Sequence, residues 1–174
     1  FDVMASGNHE WNLGPAGFAS FIEAVDFPVI GGNLDVSQEP AIADLLADTH
    51  VVEVGGVQVG FVSALATDTV ETSSPGDNVI FTDEIEALQA DVDALTADGV
   101  EIIIALTHVG DRTDQAIAAA VTGLDAIVGG HSHTLYSNTD EDATHPYPLM
   151  VSNPEGTMVP IVQAYAYSKY LGHL

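Results

Sequence analysis

Cysteine is absent from this chain of 174 residues, and basic residues are nearly so: Arg112 and Lys169 stand alone against 26 Asp and Glu, for a formal charge of -24. Without thiols there is neither a disulfide framework nor a Cys zinc site. With two cations, binding of a nucleic acid polymer through a basic face is excluded as an expectation. No apolar run approaches the ~20 residues a membrane span needs, since the apolar stretches are strand-sized and bounded by Gly, Asp or Glu. The first residues, Phe1-Asp2-Val3-Met4, carry no basic segment followed by an apolar one, so no signal peptide is visible. So acidic a balance fits a high-salt setting and equally an acidic exported protein.

What is present is apolar material, 47% of the residues, enough for one folded domain spanning residues 1–174. Short Val/Ile-rich runs alternate with stretches of helical period, which predicts a mixed α/β layer architecture. Strands are expected at Phe1–Ser6 and Pro28–Gly31, with a helix from Pro15 to Val25 between them. Val51–Val54 and Val57–Val62 flank Gly55-Gly56, the signature of a hairpin with a tight turn. Residues 67–78 read as a loop. A helix over Asp83–Ala97, capped by Thr82 or Asp83 and stopped by Gly99, precedes a buried strand at Glu101–Leu106. A helix from about Asp114 to Val121 and a strand at Ala126–Val128 follow. Leu135–Pro148 reads as an irregular acidic loop, and two further strands are expected at Val159–Ala166 and Tyr170–Leu174.

Three of these strands end alike. The first runs into Gly7-Asn8-His9-Glu10, another into Thr107-His108-Val109-Gly110, and a third into Gly129-Gly130-His131-Ser132-His133. Groups at the carboxyl ends of strands in an open α/β sheet converge on one crevice, so Asn8, His9, His108, His131 and His133 are expected to share one site. Imidazole suits zinc and related metals and an Asn oxygen tolerates harder cations, so the set fits a mixed N/O metal site. Thr-His-Val-Gly alone would be an ordinary hydrogen-bonding strand end, and Gly-Gly-His-Ser-His alone a polar turn. All three, each directly after a buried strand, are hard to reconcile with coincidence. His50, His145 and His173 lack this context and read as structural or surface residues. Trp11 reads as packing under the first loop, and Arg112, beside the His108 loop, as a partner for Asp111 or Asp114 ahead of the alternative of touching a phosphate.

At these loops, together with Gly32-Asn33-Leu34, Ile161-Val162-Gln163-Ala164 and Lys169-Tyr170-Leu171-Gly172, the sequence resembles the calcineurin-like metallophosphoesterases. Within them it is most similar to the group of 5'-nucleotidases and 2',3'-cyclic-nucleotide phosphodiesterases, over essentially the whole chain. The resemblance implies the four-layer α/β/β/α sandwich of that family, incomplete at its N-terminus. It also implies two divalent metal ions, zinc, manganese or similar, with Asn8, His108 and His131 on the second ion and His133 on the first. His9 would be the catalytic histidine that stabilises the phosphoryl charge or protonates the leaving oxygen. The reaction implied is in-line attack on phosphorus by a metal-bound hydroxide, with a small phosphate ester such as a nucleotide as substrate. A C-terminal substrate domain and an extracellular, periplasmic or cell-surface location are further implications.

Two departures stand out. The Asp-x-His and Gly-Asp motifs that begin the family pattern do not occur before His9, so the chain by itself is expected not to hold two metals tightly. And Asn12 occupies the place of the Asp that partners the catalytic histidine, where an amide can orient an imidazole but stabilises its charged form less well than a carboxylate. A relative with another ester specificity, such as a thiosulfohydrolase or a non-nucleotide phosphodiesterase, and a non-catalytic surface binding module with a decayed metal site, are the competing readings.

Overall fold

A computed structural model describes all residues, 1–174. In chain order the elements are β1 (Met4–Ala5), α1 (Gly14–Ala24), β2 (Val29–Ile30), β3 (Leu34–Asp35), β4 (His50–Val54), β5 (Val57–Leu65), α2 (Thr69–Thr72), β6 (Ile80–Phe81) and α3 (Glu84–Ala97). They continue with β7 (Ile102–His108), α4 (Asp111–Ala120), β8 (Ala126–Gly129), β9 (Leu149–Ser152) and β10 (Met158–Gln163). The hairpin forms as the glycine pair predicts: Gly55 and Gly56 take φ of 61° and 87°, values a side chain resists, and Val54 pairs with Val57. Asp83 caps α3 by accepting the backbone N–H groups of Ile85 and Glu86, satisfying two of the donors a helix start leaves open.

The main sheet has six strands in the order β4-β5-β7-β8-β10-β9, of which β5, β7, β8 and β10 run parallel. Helices α3 and α4 supply the crossovers from β5 to β7 and from β7 to β8. They bury Leu88, Val92, Leu95 and Ile117 against Val62, Ile103, Ala105 and Ile127 on one face of the sheet. On the other side lies the small parallel pair β1–β2, covered by α1, with Trp11, Phe18, Val29, Leu34 and Leu65 in a second core. Trp11 is fully buried and meets Phe18 edge to face at 4.8 Å, the packing role expected of it. The layers therefore run helix, large sheet, small sheet, helix.

Several boundaries differ from the sequence reading. Tyr170–Leu174 forms no strand, and β10 stops at Gln163, because Tyr165, Tyr167 and Ser168 turn the chain with positive φ and end the ladder. Helix α4 begins at Asp111, three residues earlier than expected, since its cap is Gly110, which offers no side-chain signal. The loop at 67–78 contains the single turn α2, and β9 arises where the irregular loop ends. Strand β7 was expected to be buried on both faces. Its residues 103, 105 and 107 are buried while 104, 106 and 108 are half-buried, because the narrow β1–β2 pair covers that face only in part.

Candidate metal centre

The carboxyl ends of β5, β7, β8 and β10 lie at one edge of the sheet, at Leu65, His108, Gly129 and Gln163. The turn of residues 8–11 that follows β1 brings Asn8 to the same edge. Asn8 is buried, and its Oδ1 lies 3.0 Å from His108 Nε2. His131 meets the His108 ring edge-on, centroid to centroid 5.1 Å. Two glycines make room for this. A Cβ on Gly7 would stand 3.1 Å from His108 Cε1, and one on Gly130 3.1 Å from His108 Nδ1, so both loops press backbone against the ring.

Burial holds the His108 imidazole well below its usual range, at about 4, and the neighbouring His131, His9 and His133 add to the effect. A neutral imidazole is what a metal ligand requires, so His108 presents a lone pair at any pH above the acid range. Asn8 Oδ1 and His108 Nε2 present an oxygen and a nitrogen donor side by side, 3.0 Å apart. The donor set therefore fits a divalent ion preferring nitrogen and oxygen. No three His, Asp or Glu side chains gather into a complete ligand set by themselves. His133 meets Tyr167 edge-on at 5.0 Å.

His131 and His133 both hold positive φ, 75° and 53°, a strained conformation for side chains of this size. Buried Gln163 holds their loop in place. Its Oε1 accepts the backbone N–H of Thr134 at 2.6 Å and the hydroxyl of Ser132 at 3.3 Å, and its amide donates to the carbonyl of Gly130 at 3.5 Å. A glutamine closing an apolar strand must spend its hydrogen bonds on something, and that is the signal the sequence holds for this role. Replacing Gln163 with Leu is expected to weaken metal binding about 10- to 100-fold, as loss of a supporting contact does. A chelator-competition titration giving wild-type affinity for Gln163→Leu contradicts that role.

His9 is exposed at the mouth of the site. Its Nδ1 lies 3.1 Å from Asn12 Nδ2, and Asn12 Oδ1 accepts the hydroxyl of Ser73 at 2.9 Å. The amide thus faces His9 through its nitrogen, with Ser73 keeping the oxygen occupied. Arg112 pairs with neither Asp111 nor Asp114, contrary to expectation. Asp111 instead accepts from Tyr136 and Gln115 and lies 3.2 Å from His145 Nε2, which gives His145 a structural place between α4 and the acidic loop.

Asp114 lies fully buried behind the site, where it accepts the hydroxyl of Thr107, the residue before His108. Burial pushes its carboxyl up to about 7, the Thr107 bond pulls the other way, and the charge of Asp111 adds to the rise. A carboxyl that binds its proton more tightly in the folded state favours folding at low pH, a contribution lost as pH rises through about 7. Asp114→Asn removes that loss. Relative to wild type, the variant should gain several degrees in Tm at about pH 8 compared with about pH 4. Parallel Tm profiles for the two proteins would show that Asp114 does not titrate in this window.

Parallel strand ends bring an Asn oxygen and histidines to one crevice of an α/β domain. The calcineurin-like phosphoesterase family matches residues 2–135. A 5'-nucleotidase from Diplobatis ommata is 41% identical over 100% of this chain, which spans 31% of that protein. Among solved structures, a 5'-nucleotidase precursor from Thermus thermophilus superposes with a TM-score of 0.91 at 43% identity, covering 95% of this chain and 33% of the other. An NAD nucleotidase from Haemophilus influenzae gives the same TM-score of 0.91 at 32% identity, covering 97% of this chain and 34% of its own. The chain belongs to the calcineurin-like phosphoesterase family, whose members use divalent metals, and it spans about a third of the length of the relatives it matches.

Proposed function

We propose that the protein is a metal-dependent phosphoester hydrolase of the 5'-nucleotidase type, acting on nucleoside monophosphates or related small nucleotides. The observation that carries this reading is the meeting of buried Asn8 with His108 and His131 at the strand ends. The nucleotidase names of the relatives at 41% and 43% identity support the choice of substrate class. Residues 2–135, which match the family, carry the catalytic groups of this reading. A location outside the cytoplasm is inferred from the family relationship alone.

Asn8, His108 and His131 would hold one ion and His133 would contribute to a second. Bound zinc or manganese supplies charge neutralisation at the phosphate and an acidified water as nucleophile. His108, kept neutral by burial, contributes its lone pair without first releasing a proton. His9, at the mouth, stands where it can give a proton to the leaving oxygen, and Asn12 fixes the rotation of its ring through Nδ1. The Gln163 anchor keeps His131 and His133 in their strained positions.

Phosphate release from a nucleoside 5'-monophosphate and from a generic aryl phosphate by the intact protein, supplied with manganese or zinc, tests the reading. Activity abolished by chelation and restored by metal is expected. Hydrolysis of a thiosulfonate but not of nucleotides would assign a different substrate, and no turnover of any ester would leave a binding module.

A further inference from the structure

Arg112 is the only arginine in a chain with 26 acidic residues, and it makes no ion pair within 4.0 Å. Its neighbours do not claim it, since Asp111 is engaged by Tyr136 and His145 and Asp114 is buried against Thr107. The side chain is exposed and lines a groove of about 400 Å³ that His131, Ser132 and Thr134 also line. An unpaired guanidinium beside a candidate metal ligand is the one fixed positive group on this side of the site. We propose that Arg112 is a specificity-determining residue that receives a second phosphate, one linked to the scissile phosphate, so that the site favours diphosphate-bearing nucleotides over monophosphates.

This rests on the phosphoester reading of the metal centre and adds a direction to it: the chain of phosphates leaves the metals past His131 toward α4. The planar guanidinium offers two parallel N–H donors to a phosphate, which a lysine cannot match. Asp111 lines the groove with it, and so does Asp68. The Asp68 carboxylate lies 3.9 Å from His131 Nε2 and repels an incoming anion, so Arg112 offsets a charge that would otherwise exclude the second phosphate.

The test measures binding by the metal-loaded intact protein of methylene diphosphonate and of methylphosphonate, neither of which is hydrolysed. Arg112→Ala should lower the ratio of the two affinities about five- to tenfold, and Arg112→Lys should restore it only in part. Asp68→Asn, which removes the charge and keeps the side chain's size, should raise the ratio. An unchanged ratio in Arg112→Ala, or equal weakening of both ligands, overturns the proposal and leaves the phosphoester reading standing. Failure of wild-type protein to bind either phosphonate overturns both.

Discussion

Substituting His131 with Gly is expected to lower phosphoesterase activity of the intact protein by on the order of 10²–10³-fold, with a matching loss of bound metal. Glycine is the informative replacement because residue 131 sits at φ of 75°, where glycine is at ease and alanine is not. The variant loses an imidazole and sheds backbone strain, so the metal-free protein should unfold no earlier than wild type. Reduced activity together with a lowered metal-free Tm would mean that His131 serves the fold, through its contact with His108 or Asp68, rather than the metal.

His9→Ala should remove about 10²–10⁴-fold of kcat, the range a positioned proton donor supplies, while metal content stays at the wild-type level. That separation follows from position. His9 is exposed and held by Asn12, whereas Asn8 is buried and His108 and His131 are half-buried. Loss of metal along with rate in His9→Ala would move His9 into the ligand set. An aryl phosphate with a very acidic leaving group sharpens the test, since such a group needs no proton and the variant's deficit should shrink on it.

How much of this was legible in the sequence depends on whether the determinant is local. The hairpin at Gly55-Gly56, α3 with its Asp83 cap and the β7 run were readable because turn, cap and burial pattern are written in neighbouring residues. The convergence of Asn8, His108 and His131 was readable too, because parallel topology sends every strand's carboxyl end to one edge. The orientation of Asn12 was not, since Ser73, 61 residues away, decides which amide atom faces His9. Nor was the freedom of Arg112, because adjacency to Asp111 and Asp114 in sequence said nothing of the Tyr136, His145 and Thr107 partners that occupy them. Tyr170–Leu174 misled for the opposite reason: a strand-like composition has no meaning without a neighbour to pair with, and the chain turns away from β10 at Tyr165.

The central claim is that Asn8, His108 and His131 hold a divalent ion. Crystals of the intact protein grown with manganese, measured at the manganese absorption edge, test it most directly. An anomalous peak within about 2.0–2.3 Å of Asn8 Oδ1, His108 Nε2 and a ring nitrogen of His131 is the predicted result. Manganese bound elsewhere, with Asn8 and His108 still hydrogen-bonded to each other across 3.0 Å, would contradict it.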